Sequence, residues 1–179
     1  MANTTGKKIK DVAIIGGCAS LIYLTIGDIS YRLSLSRGGL NSKLITDMVA
    51  KSAAKKPKNE YKEKLDSMID DGADWFMHQD TEKIIIEKKH RQSLYADLIR
   101  PDKPSNVYII CIHGYTSSPA NMGIYAKKYH ELGYNVLLPS LRGHGDSEQD
   151  FITMGWNDRL DVIEWINYIA ERHPESKII

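Results

Sequence analysis

The run Val107-Tyr108-Ile109-Ile110-Cys111-Ile112 constrains this chain more than any other feature of its sequence. It is apolar throughout and bounded by turn residues, Ser105-Asn106 before it and His113-Gly114 after it. A run of this kind predicts a strand buried on both faces, the situation of a parallel sheet covered by helices. The residues that follow keep that rhythm. Pro119 opens a helical stretch in which Met122, Tyr125, Tyr129 and Leu132 recur at helical spacing, and Gly133 closes it as a C-cap. Val136-Leu137-Leu138 is a second short buried strand, ending at Pro139. Asn157 or Asp158 can cap a second helix whose apolar positions Leu160, Ile163, Ile166 and Ile169 face one way and which stops before Pro174. Ser176 to Ile179 begins another strand. Strand, helix, strand, helix, strand at these lengths predicts crossover units and a parallel sheet.

Upstream, the period is two. Thr81 to Lys88 carries Ile84, Ile85 and Ile86, and Ser93 to Arg100 alternates Leu94, Ala96 and Leu98 with Tyr95, Asp97 and Ile99. Joined by Lys89-His90-Arg91-Gln92, these segments predict an antiparallel hairpin at the edge of the sheet. From Asn41 to about Asp71 the chain is charged and helix-prone, and Pro57 splits it into two pieces. Leu44, Met48 and Ala53 give the first piece a weak apolar face; Tyr61, Leu65, Met68 and Ile69 give the second a better one. The helical period ends at Gly72, and a structural connector is the reading of this stretch.

At 179 residues the chain suits one globular unit with an N-terminal extension. Its 24 Lys and Arg against 23 Asp and Glu leave a net charge of +1, which speaks against nucleic acid as a partner. Cys18 lies in an apolar N-terminal run and Cys111 in the buried strand, so neither a disulfide framework nor a cysteine zinc site is available, and no cofactor is implied. Lys7, Lys8 and Lys10 precede an uncharged run from Val12 to Gly27. Its length of about 16 residues falls short of the ~20 that span a bilayer, though tilt and local thinning can close the gap. The expectation is an uncleaved anchor over residues 1–30, with the lysines cytoplasmic and the domain on the extracytoplasmic side. The rivals are a cleaved signal segment ending at Gly27, which would make the protein secreted, and a buried soluble helix. Residues 31–80 then form the helical connector and residues 81–179 the α/β domain.

Two loops hold the residues with chemical potential. His113-Gly114-Tyr115-Thr116 follows the first buried strand, where a parallel sheet presents ligands, and Gly114 frees the backbone to turn an amide outward. Arg142-Gly143-His144-Gly145-Asp146-Ser147 follows the second buried strand, at the same end of the sheet. This pair of motifs resembles the α/β-hydrolase family, in particular its serine aminopeptidase and monoacylglycerol-lipase-like branch. The resemblance covers about Thr81 to Ile179. It implies a fold with an antiparallel edge hairpin, then parallel strands with crossover helices, cut off at the start of the strand that bears the nucleophile. It implies that Tyr115, the residue after His-Gly, donates its backbone N–H to an oxyanion hole, and that Arg142 to Ser147 support the site. The hairpin turn lacks the family's frequent Asp-Gly.

The family order is serine, acid, histidine, with the serine in a Gly-x-Ser-x-Gly turn after the third parallel strand. No such pentapeptide occurs in these residues, and all six histidines precede the point where it belongs. His113 and His144 therefore stabilise loops, and Asp146 is no triad acid. The chain is expected to continue, with the pentapeptide beginning within about eight residues of Ile179, because strands typically run ~5–6 residues. The function implied is that of a serine hydrolase acting on a small-molecule ester, thioester or amide, of which this chain alone is inactive. A non-catalytic or acyl-transfer protein on the same fold is the alternative. A nucleotide-binding unit would need a glycine-rich turn running straight into a helix, and His113 to Pro119 holds one glycine.

Overall fold

The computed structural model of the chain describes residues 20–37, 43, 47–48, 51–52, 59–90 and 92–179. The apolar run becomes strand β3 (Val107–Ile110). The hairpin upstream is β1 (Glu82–Ile86) and β2 (Leu94–Ile99), paired antiparallel with Ile84 opposite Ala96. Strand β4 (Asn135–Ser140) lies between β2, to which it is antiparallel, and β3, to which it is parallel. The short β5 (Lys177–Ile178) extends the parallel set beyond β3, giving the order β1-β2-β4-β3-β5. This is the expected α/β arrangement, an antiparallel edge hairpin followed by parallel strands joined through helices.

Helices cover both faces. Helix α3 (Asp158–Arg172) sets Trp165 and Ile169 against Leu98, Tyr108 and Leu137. On the other face α1 (Glu60–Met77) and α2 (Gly123–Glu131) bring Phe76 and Ala126 onto Ile99, Ile109, Cys111, Val136 and Leu138. Strand β4 shows why both layers are needed: alternate side chains point to opposite faces, and every one of its residues is buried. Each fully buried Leu or Ile contributes about 1.5–3 kcal/mol.

Three helical expectations need correction. Helix α1 does not end at Gly72 but runs to Met77; Gly72 and Phe76 are its buried residues, while Tyr61, Leu65 and Met68 are exposed. Gly72 is a contact point, since its backbone lies against that of Gly123 and Ile124 and leaves no room for a Cβ on either glycine. Helix α2 starts only after a 3-10 turn over Pro119–Met122 and buries Gly123 and Ala126, leaving Tyr125 and Leu132 exposed. Gly133 does cap it, in the left-handed conformation (φ +81°). Helix α3 exposes Leu160, Ile163 and Ile166 and buries Asp158, Asp161, Trp165 and Ile169.

The first half of the Val12–Gly27 run, residues 12–19, lies outside the described residues, as do Leu44, Ala53, Pro57 and Arg91. Residues 20–35 form an N-terminal helix. Among the described residues no helix is long and apolar enough to cross a membrane.

Candidate active site

Strands β3 and β4 are parallel, so the loops leaving their carboxyl ends converge, as the sequence reading expected. Each loop places a histidine into the other. His113 Nε2 accepts the Leu141 N–H at 3.1 Å, and His144 Nε2 accepts the Thr116 N–H at 3.2 Å. Their Nδ1 atoms lie 3.0 Å from the Gly114 carbonyl and 2.9 Å from the Arg142 carbonyl, which fixes both as neutral rings protonated at Nδ1. The rings meet edge to face with centroids 5.0 Å apart. Both histidines are thus loop-tying residues, with no ring nitrogen left to act as a base.

This lock sets a pH dependence. Burial lowers the His113 pKa below the ordinary histidine value. A neutral ring favoured by folding stabilises the chain fully above about pH 6.5, and that contribution is lost as the pH falls below the unfolded-state value. The urea midpoint is therefore expected to drop between pH 7.5 and 5.5, and a His113 Hε1 resonance followed by NMR should titrate below the free-histidine position. Titration at or above that position would contradict the buried acceptor role.

The Arg142 loop is fixed from several sides. Its guanidinium grips Asp161 of α3 through two bonds, Nε to Oδ2 at 2.6 Å and Nη2 to Oδ1 at 2.8 Å, and this partner raises the arginine's pKa. Asp146 pairs with Lys83 of β1 at 2.9 Å, and Glu148 accepts from Tyr95 Oη and Ser93 N. Gly143 and Gly145 adopt positive φ (+74° and +48°), the freedom for which the loop needs glycine. These contacts agree with the supporting role read for Arg142 to Ser147.

The first loop departs from expectation in one respect. The residue at positive φ is Thr116 (+57°) rather than Gly114, and a β-branched residue there is strained. The strain is held by the Thr116 N–H bond to His144. Because His144 takes the Thr116 amide, the neighbouring Tyr115 N–H is left without a hydrogen-bond partner among the described residues. Tyr115 is 46% exposed and, with Ile112, His113 and His144, lines a cleft of about 440 Å³. Its ring does not pack into the core; its hydroxyl donates to the Ser34 carbonyl at 2.6 Å.

Sequence reading missed the far wall of the cleft, formed by Ile152, Met154, Gly155, Asp158, Arg159 and Val162. Asp158 organises it: Oδ2 accepts from Thr153 Oγ1 and Gly155 N, both at 2.7 Å, while Asn157 holds the N-cap position without a side-chain bond. The available signal was an aspartate just downstream of a Met-Gly turn. Cys111, at the end of β3, is no alternative nucleophile, because burial pushes its thiol pKa up to about 11. Among the described residues no group of His, Cys, Asp and Glu could hold a metal ion.

Parts of the chain are similar to known proteins. No family model matches the chain. A thermostable monoacylglycerol lipase of a Bacillus species (strain H-257) is 28% identical over 92 residues, covering 38% of this chain and 37% of the lipase. The structure of an esterase from Pyrococcus furiosus matches with 28% identity and a TM-score of 0.50, covering 57% of this chain and 40% of the esterase. Over this part the chain is related to the α/β-hydrolase superfamily, through relatives that are themselves a lipase and an esterase. It spans about two fifths of the length of these relatives.

Proposed function

We propose that this chain is the N-terminal part of a serine hydrolase that cleaves an ester, thioester or amide bond of a small molecule, with Tyr115 N–H as one donor of its oxyanion hole. The observation that supports this reading is that Tyr115, whose amide has no hydrogen-bond partner among the described residues, lines a cleft at the carboxyl ends of β3 and β4, beside a residue strained to hold the turn. A serine supplied after β5 would attack the carbonyl carbon, forming a C–O bond while the carbonyl π electrons move onto oxygen. Tyr115 N–H would hold that developing oxyanion. Collapse of the intermediate would expel the leaving group, and a downstream histidine would carry the proton from serine to it. A donor of this kind contributes about 3 kcal/mol, or roughly a hundredfold or more in rate. The division proposed is an anchor over residues 1–30 that attaches the protein to a membrane, a connector over 31–80 and the hydrolase unit over 81–179.

Fluorophosphonate labelling tests the reading. The protein extended past Ile179 through its acid and histidine is expected to label, and the chain of 179 residues is not. Labelling of the shorter chain, or an extended protein with alanine or glycine in place of the serine, would overturn it; the latter would favour a non-catalytic role.

A further inference from the structure

The N-terminal helix and the cleft are joined by contacts that the reaction does not use. Residues 31–37 form a strap across the rim of the site. Tyr31 packs on Phe151 with ring centroids 5.6 Å apart, and Leu35 O accepts from Ile152 N at 2.8 Å. Arg37 N donates to Asp150 O at 2.9 Å, and its guanidinium donates to the carbonyls of Gly145 and Ser147. Ser34 O accepts from Tyr115 Oη, so the strap touches the candidate oxyanion turn itself.

Above the strap the helix changes character. From Ser20 to Gly27 it bears no charge, and every residue is exposed. Leu21, Ile22, Tyr23 and Leu24 follow one another at about 100° per residue, so they face all sides of the helix rather than one. A protein groove covers one stripe; apolar exposure all round suits lipid. Thr25, a polar residue in the middle of this apolar stretch, turns its hydroxyl back onto the carbonyls of Leu21 and Ile22 at 2.8 and 2.9 Å, as an apolar medium requires. Charge returns at Asp28, paired with Arg32 at 2.9 Å, and Tyr31 lies in the same turn. In sequence the uncharged run reaches back to Val12, behind Lys7, Lys8 and Lys10, whose charge suits anionic headgroups.

Helix geometry then fixes a height. At about 1.5 Å per residue, Ser34 lies only ~9 Å along the axis from Asp28, where the apolar part ends. The cleft rim is itself apolar and exposed at Ile112, Tyr115 and Met154, with Trp156 beside it at 72% exposure under the Arg159 guanidinium. We infer that the helix through Gly27 beds in a lipid bilayer and that the 31–37 strap holds the mouth of the cleft against the bilayer surface. This rests on the anchor proposed above. An amphiphile with its carbonyl at headgroup depth would then reach the cleft without leaving the interface.

The test uses the chain of 179 residues and vesicles of equal parts phosphatidylcholine and phosphatidylglycerol, the former brominated on the acyl chain near the headgroup. The chain is expected to sediment with the vesicles, and its tryptophan emission to be quenched. Trp156→Phe should remove roughly half or more of that quenching, since an amphipathic ring at an interface is the group the bromines reach. A double variant, Arg37→Ala with Tyr115→Phe, should still sediment but lose the Trp156 quenching. The blue-shifted emission of Trp165, 1% exposed, reports that each variant is folded. Failure to sediment overturns the anchor and the inference together. Sedimentation with Trp156 unquenched, or quenching unchanged in the strap variant, overturns the inference and leaves the anchor and the hydrolase reading standing.

Discussion

Arg142→Ala is expected to destabilise the chain by about 3–5 kcal/mol, the usual cost of breaking a buried ion pair from one side. Its partner Asp161 is 4% exposed and would keep a charge with its main counter-ion gone. The loss should appear as a lower urea midpoint, and amide exchange in the loop from Leu141 to Ser147 should rise with it, because the loop hangs on α3 through this pair. Arg142→Met combined with Asp161→Leu should recover much of the loss, since no buried charge is then left alone. A single-variant cost under 1 kcal/mol would mean that the pair is solvated, and the loop would need another explanation for its order.

Gly123→Ala is expected to cost about 2–3 kcal/mol, against the ordinary direction of such a change. A helical glycine replaced by alanine commonly gains about 0.5–1 kcal/mol, because glycine sacrifices more backbone entropy on folding. Here the new Cβ would overlap the Gly72 carbonyl where α1 crosses α2, and backbone cannot rotate away as a side chain can. Gly72→Ala strikes the backbone of Ile124 from the other side, so the two costs should not add. Thermal melts of the single and double variants measure this. A higher melting temperature for Gly123→Ala would contradict the close approach of the two helices.

The strands were legible in the sequence and the helix faces were not, for a physical reason. A strand buried on both faces announces itself as an unbroken apolar run, and Val107 to Ile112 has few alternatives. In α3, Leu160, Ile163, Ile166 and Ile169 repeat every three residues, and at about 100° per residue that repeat drifts by ~60° a step. It spirals around the helix, so the sheet can bury only one end of it, Ile169. The true buried stripe includes Asp158 and Asp161, which hydropathy passes over; they are there because Arg142 and the Thr153–Gly155 turn need acceptors. Gly72 read as a breaker because a glycine's packing role depends on a partner fifty residues away. The same holds at the site. His113 and His144 could be placed on converging loops from spacing alone, but their exchange of acceptors is a three-dimensional fact. The bond between Ser34 and Tyr115, across 81 residues, left no trace in either local sequence.

The central claim is that Tyr115 N–H receives an oxyanion. The measurement that tests it most directly is a crystal structure of the extended protein trapped with a phosphonate on its serine. The account predicts the phosphonyl oxygen about 2.7–3.1 Å from Tyr115 N, with the Thr116 N–H still bound to His144. A phosphonyl oxygen held by other donors, with Tyr115 N turned away from it, would contradict the account.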